Sequence, residues 1–298
     1  MRQHLCALSI VVVIIIAGCA DTETVEEQSS IPPATTATTI AATTATTTPA
    51  VTATTRALIE DGCGEPRATP GEYEGLSVVG DVERPYWVVV PETYADAAPA
   101  PLYLHLASGN GDHDGFLAGW RPYLDDLDGV MAIVNTQQRA TTVELVALID
   151  ELSSNYCIDP HRVHVMGTSW SEDMAVRLAC EAPDRIASFV GALGSYVPLN
   201  ACQPDRAVPL LTFTGNPDRL YVTRLVERWA ELNVCDPEPL VEDLGSGVRR
   251  LTYQDCEADV VFYDIEGMGH AWPVHESKGP GAGYTAEYEE VDYLEEAL

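Results

Sequence analysis

Three observations predict an α/β domain built on a mostly parallel sheet of about eight strands, with helices on both faces. Strand-like apolar runs alternate with amphipathic helical stretches through most of the chain beyond residue 100, the pattern of parallel strands joined by helical crossovers. One strand passes into a helix through only five residues, 167–171 (GTSWS). Residues able to do chemistry then fall just after strands, where open α/β sheets carry their sites.

The elements follow in order. Residues 76–80 and 86–90 read as short strands joined by the turn-like 81–85 (DVERP), a hairpin that opens the sheet. Residues 101–106 (PLYLHL) make a more apolar strand, which runs into the glycine-containing loop 107–112 (ASGNGD). Residues 130–135 (VMAIVN) read as a buried strand. Thr142–Asn155 sets Leu145, Leu148, Ile149 and Leu152 on one helical face, with Thr141 or Thr142 as its cap and Pro160 barring continuation. Residues 163–166 alternate apolar and polar like a half-buried strand, and Met174, Ala175, Leu178 and Ala179 recur at helical spacing. Residues 188–193 and 208–214 are further strands, 220–232 a helix, 259–265 the last strand and 285–298 an acidic amphipathic helix.

The globular domain is expected over residues 60–298. Residues 1–18 combine Arg2 with an apolar run, 5–17, broken only by Ser9; this is short for a membrane span and suits an export signal. The run ends in Ile16-Ala17-Gly18-Cys19, which resembles the lipobox of bacterial lipoproteins and implies lipid modification of Cys19. Residues 19–59 are a tether. Their Thr, Ala and Pro bury too little apolar surface to offset chain entropy, and suit O-glycosylation. The expected location is the outer face of the cell membrane, held by the lipid, or the medium.

Net charge is −30, from 46 acidic and 16 basic side chains, with Lys278 the single lysine. Nucleic acid needs a cationic surface and is excluded as a partner; so is ionic adhesion to anionic lipid. Of eight cysteines, those beyond Cys6 and Cys19 are Cys63, Cys157, Cys180, Cys202, Cys235 and Cys256. An even number in an exported domain implies disulfides, with about fifteen connectivities open. Cys235 with Cys256 is the first pairing expected, because the two flank one late excursion; Cys180 with Cys202 and Cys63 with Cys157 would follow. No cysteine or histidine spacing points to a metal, and no cofactor is implied.

A strand feeding a helix through so sharp a turn pushes one side chain out at the apex, here Ser169. This is the nucleophile elbow of α/β-hydrolases, G-x-S-x-G, with Gly167 kept and Ser171 in place of the second glycine. Asp218 follows the strand 208–214 and His270 the strand 259–265, so Ser, Asp and His come in that fold's chain order. His270 is expected to take the proton of Ser169 and return it to the leaving group. Asp218 would hold the imidazole tautomer and stabilise the imidazolium. The oxyanion donors expected are the Trp170 N–H and one near Ala107. Trp170 and Trp272 are candidates to line the substrate. His113 and His275 are alternative bases, while His105, His161 and His164 read as structural.

The stretches YCIDPHRVHVMGTSW and MAVRLACEAPDRIASFV resemble the secreted polyhydroxybutyrate depolymerases and feruloyl-esterase-like enzymes grouped with the family 1 carbohydrate esterases. PLLTFTGNPD resembles that family's approach to the acid, YDIEGMGHAWP its histidine segment, and WAELNVC and YQDC its cysteine pair. The resemblance implies an α/β-hydrolase fold and a serine esterase with Ser169 as nucleophile, Asp218 as acid and His270 as base. Its substrates would be hydroxyalkanoate oligomers or feruloyl or acetyl esters, cleaved through an acyl-enzyme. Ser171 and Glu172 stand where the family has glycines, and Ala107-Ser108 where it has His-Gly. Glu172 and Asp173 suit the helix dipole, but a carboxylate beside an oxyanion would oppose its charge. These departures leave a second reading, a hydrolase-fold surface lipoprotein acting as a binding scaffold; a serine peptidase would share only the triad.

Overall fold

The computed structural model describes residues 68–94, 98–107, 117, 120, 124, 127–136, 139–194, 197–215 and 219–268. All fall in the second of the chain's two units, Ala50–Leu298. The expected signal, tether and helix 285–298 lie outside the described residues.

Among the described residues ten strands form one sheet: β1 (Gly71–Val79), β2 (Val82–Val90), β3 (Ala100–Ala107), β4 (Val130–Asn135), β5 (Ile158–Thr168), β6 (Ser188–Ala192), β7 (Leu210–Thr214), β8 (Leu240–Gly245), β9 (Val248–Thr252) and β10 (Val260–Ile265). Their order is β1-β2-β4-β3-β5-β6-β7-β10-β9-β8. The run from β4 to β10 is parallel, flanked by the antiparallel pairs β1–β2 and β9–β8. The helices are α1 (Thr142–Asn155), α2 (Glu172–Glu181) and α3 (Arg219–Leu232). This is the α/β-hydrolase fold.

The sheet's pleat divides the core into two. Leu102, Leu104 and Leu106 of β3 face one side with Leu145, Leu148, Met174, Leu178, Leu225 and Trp229 from the three helices. Tyr103 and Ala107 face the other with Leu117, Trp120 and Leu124, which are helical. β3 and β4 are buried almost throughout, which explains their continuous apolar runs.

The hairpin β8–β9 was not expected from the sequence. β8 is exposed along nearly its whole length and reads LVEDLG, so no apolar run marks it. Its turn residues Ser246 and Gly247 have φ of 48° and 81°, the left-handed pair that a tight hairpin turn requires. Disulfides join Cys180 to Cys202 and Cys235 to Cys256, two of the three expected pairs. Cys157 is also disulfide-bonded; Cys63, its expected partner, lies outside the described residues.

From β3 the chain moves outward to β4, and from β5 it moves the opposite way to β6. The carboxyl ends of β3 and β5 therefore flank a topological switch point, where open sheets leave a crevice.

Candidate active site

Ser169 stands at that crevice. β5 ends at Thr168, a single 3₁₀ turn spans Ser169–Ser171, and α2 begins at Glu172. Ser169 has a φ of +57°, a left-handed conformation that non-glycine residues seldom adopt and that persists only where the surroundings enforce it. The enforcing contacts are local. A Cβ on Gly167 would lie 2.5 Å from the Ser171 carbonyl oxygen and 2.8 Å from the Glu172 nitrogen, so only glycine lets the strand and the helix start close so tightly.

Ser171 does more than tolerate a glycine position. Its buried hydroxyl accepts from the Thr168 N–H at 2.9 Å and donates to the Thr168 carbonyl at 2.9 Å. The substitution therefore staples the two sides of the turn across Ser169. Glu172 turns inward instead of toward the turn's outer face. It is fully buried, and its Oε1 accepts a long hydrogen bond from Thr212 Oγ1 at 3.4 Å. Gly191 on β6 makes room for it, since a Cβ there would lie 2.1 Å from that oxygen. The sequence-based concern that Glu172 would oppose an oxyanion is thus corrected: its carboxyl group sits beneath the elbow, between α2 and the sheet.

Trp170, 42 % exposed, follows Ser169 in the first turn, where backbone N–H groups lack intrahelical acceptors. Its ring lies against Arg139, whose guanidinium carbon is 4.2 Å from the ring centroid. Ala107 is the last residue of β3, opposite Asn135 of β4. Its carbonyl accepts from Thr136 N–H at 3.2 Å and Thr136 Oγ1 at 2.5 Å. That places Ala107 in the sheet ladder at the base of the loop rather than within it.

Asp218, His270, Trp272, His113 and His275 lie outside the described residues, but the strands that lead to Asp218 and His270 do not. β7 and β10 are adjacent and parallel. A Cβ on Gly215 would lie 1.9 Å from the Met268 carbonyl oxygen. The segments entering the two positions thus touch backbone to backbone, two or three residues before Asp218 and His270. Arg219, immediately after Asp218, adds a tie: its Nε and Nη2 donate to Asp264 Oδ1 of β10 at 2.9 and 2.5 Å, and Arg249 of β9 donates to Oδ2. Asp264 is almost wholly buried. Sequence reasoning missed Arg139, Arg219, Arg249 and Asp264; only the place of Arg219 beside the expected acid could have drawn notice.

The remaining described histidines sit away from this edge or in the core. His105 is buried, and its Nδ1 accepts from Trp120 Nε1 at 3.1 Å. Burial pushes its imidazole down to about 4, so it stays neutral. His164 Nδ1 lies 2.8 Å from Ser188 Oγ, and burial lowers its pKa also. His161 is exposed. Among the described residues no group of His, Cys, Asp and Glu could hold a metal, and no helix is long and apolar enough to cross a membrane. A polar cavity of about 680 Å³, lined by Arg219, Asp243, Ser246, Arg249, Asp264 and Glu266, lies beyond β10. With β6 and β7 between β5 and β10, it is about 14 Å from the elbow strand at the usual strand spacing.

The chain is similar over 148 residues to feruloyl esterase B of Piromyces equi, with 27 % identity covering 41 % of this chain and 27 % of that protein. It spans about a quarter of the length of the curated relatives it matches. Two solved structures share the fold. A thermostable esterase superposes with a TM-score of 0.50 at 14 % identity, over 70 % of this chain and 55 % of its own. Acetyl xylan esterase from Aspergillus awamori does so with a TM-score of 0.51 at 14 % identity, over 64 % of this chain and 90 % of its own. No protein-family model matches the chain.

Proposed function

We propose that this protein is a serine esterase that hydrolyses carboxylic esters through an acyl-enzyme formed on Ser169. The observation that carries the reading is the strained φ of +57° at Ser169, held by the Gly167 contact and the Ser171 staple at the sheet's switch point. Strain of this kind persists at sites that need a side chain aimed outward. The approach of Gly215 to Met268 supports the assembly of acid and base from adjacent strands. Similarity to a feruloyl esterase supports an ester as substrate.

In this mechanism Ser169 Oγ attacks the ester carbonyl while His270 removes its proton, and Asp218 steadies the resulting imidazolium. The oxyanion is held by the Trp170 N–H and a second amide supplied where the chain leaves Ala107. Collapse breaks the ester C–O bond, and His270 gives its proton to the departing alkoxide. Water, deprotonated by His270, then attacks the acyl carbon, and His270 returns the proton to Ser169 Oγ as the acyl–Oγ bond breaks and the acid leaves. The substrates are hydroxyalkanoate oligomers, or feruloyl or acetyl esters on polysaccharide. Trp170 and Trp272 line the site. The enzyme works outside the cell, tethered by residues 19–59 to a lipid on Cys19.

The test is covalent labelling of the full chain with a fluorophosphonate. Labelling on Ser169 is expected, abolished by Ser169→Ala and strongly reduced by His270→Ala. A folded protein that takes no label overturns the esterase and leaves the binding scaffold. Hydrolysis of peptide anilides in preference to p-nitrophenyl esters would point to a peptidase.

A further inference from the structure

We propose that Arg139 and Trp170 form a subsite for a free carboxylate on the substrate, close to the scissile ester. The inference rests on the esterase reading and names its substrate class: short esters of hydroxy acids or diacids that keep one ionised carboxyl group.

Position is the first argument. Arg139 belongs to the connection between β4 and α1, and Trp170 directly follows the nucleophile. β3 lies between β4 and β5, so these connections leave the sheet about 10 Å apart, on either side of the end of β3. The 4.2 Å contact between Arg139 and Trp170 bridges that gap. It sets a guanidinium at the carboxyl edge of the sheet, beside the ends of β3 and β5. Both side chains are exposed to solvent.

Charge is the second. The chain carries 46 acidic side chains against 16 basic ones. Arg84, Arg162, Arg185, Arg219 and Arg249 are each paired with a carboxylate. Arg139 is paired with none among the described residues; its contact is the indole ring. A ring takes one face of a guanidinium and leaves the N–H donors of its edge directed outward, the arrangement that accepts a carboxylate side-on. In so acidic a protein, a cation with no carboxylate partner among the described residues, set beside the nucleophile, would attract an anionic substrate to the reacting edge.

Backbone is the third. Arg139 has a φ of +35°, another left-handed non-glycine residue. It is held from the C-terminal side, where Ala140 is buried and Thr141 is locked in the capping box of α1. The guanidinium therefore extends from a fixed root.

The test compares full-length protein on ethyl butyrate and on the monoethyl ester of succinic acid, which differ mainly in a terminal carboxylate, with hydrolysis followed by acid release. The wild type should favour the succinate, and the preference should shrink as salt rises. Arg139→Gln should lower the succinate-to-butyrate ratio of kcat/KM about tenfold, through KM on the succinate, with Arg139→Lys recovering part of it. An unchanged ratio, or an equal loss of kcat on both esters, overturns the subsite and leaves Arg139 a packing residue. Should neither ester be hydrolysed, the esterase reading fails, and the subsite is judged by binding alone. Succinamate, but not butyramide, should then shift the Trp170 indole resonance in wild type and not in Arg139→Gln; no shift in wild type overturns it.

Discussion

At the elbow, the Ser171 hydroxyl both accepts from and donates to the Thr168 peptide group, so the turn is closed by a side chain as well as by Gly167. Replacing Ser171 with alanine removes both bonds and leaves a buried donor and acceptor without their partner, at a cost of about 1–3 kcal/mol. Ser171→Gly should be no milder, although it restores the G-x-S-x-G pattern, because the hydroxyl and not the small size closes this turn. Urea unfolding should show the loss in both variants. Fluorophosphonate labelling of Ser169 should slow in both, because the φ of +57° is less firmly held. The sequence announces Ser171 only as a departure from a pattern. Its role depends on a hydrogen-bond geometry that the two intervening residues do not encode.

Helix α1 joins the first half of the sheet to the elbow strand through a short polar chain. Thr141 caps it and Glu144 completes a capping box, the Thr141 N–H donating to Glu144 Oε2 at 2.6 Å. The Glu144 Oε1 accepts from Arg84 Nη2 of β2 at 3.0 Å, and Arg84 Nη1 also reaches the Asn135 carbonyl of β4 at 3.1 Å. Burial works to raise the Glu144 carboxyl, but the bonds from Thr141 and Arg84 outweigh it and hold its pKa below the usual range. Glu144→Ala would leave Arg84 buried with its charge uncompensated, for a loss of about 3–5 kcal/mol in denaturant unfolding. The cap was legible to within one residue, as Thr141 or Thr142 ahead of the apolar spacing of α1, and the structure gives it to Thr141. The partner on β2 was not, because a salt bridge between strand and helix leaves no local pattern. The hairpin β8–β9 was missed for a related reason: it lies at the sheet's edge, where little apolar burial is demanded of its residues.

Over the whole molecule, acid should act through two sets of groups. The fold keeps His105 neutral, with a pKa near 4, whereas the unfolded chain protonates it at about 6.5. Between these values the unfolded state binds more protons, so stability rises with pH across the window and is complete above it. His164, lowered by burial, adds in the same direction. Glu144 acts at lower pH: its contribution is present above the unfolded carboxylate pKa and is lost as pH falls through its depressed folded value. Thermal unfolding from pH 7 to pH 4 should therefore show a falling Tm, and His105→Gln should flatten the upper part of that fall. A slope unaltered by His105→Gln would assign the acid sensitivity elsewhere.

The sequence by itself determined the alternation of strands and helices, the sharp turn that presents Ser169, and the order in which Ser169, Asp218 and His270 follow their strands. Each is written in residues close together along the chain, in a period of two or of about 3.6 and in the placement of glycine and proline. Only the tertiary structure decided that Glu172 points inward under Gly191, that Gly215 presses on Met268, and that Arg139 lies on Trp170. Those are distances between separate segments, set by sheet order and by the close packing of two layers against it. Local periodicity constrains which face of an element is buried, but not what that face will meet.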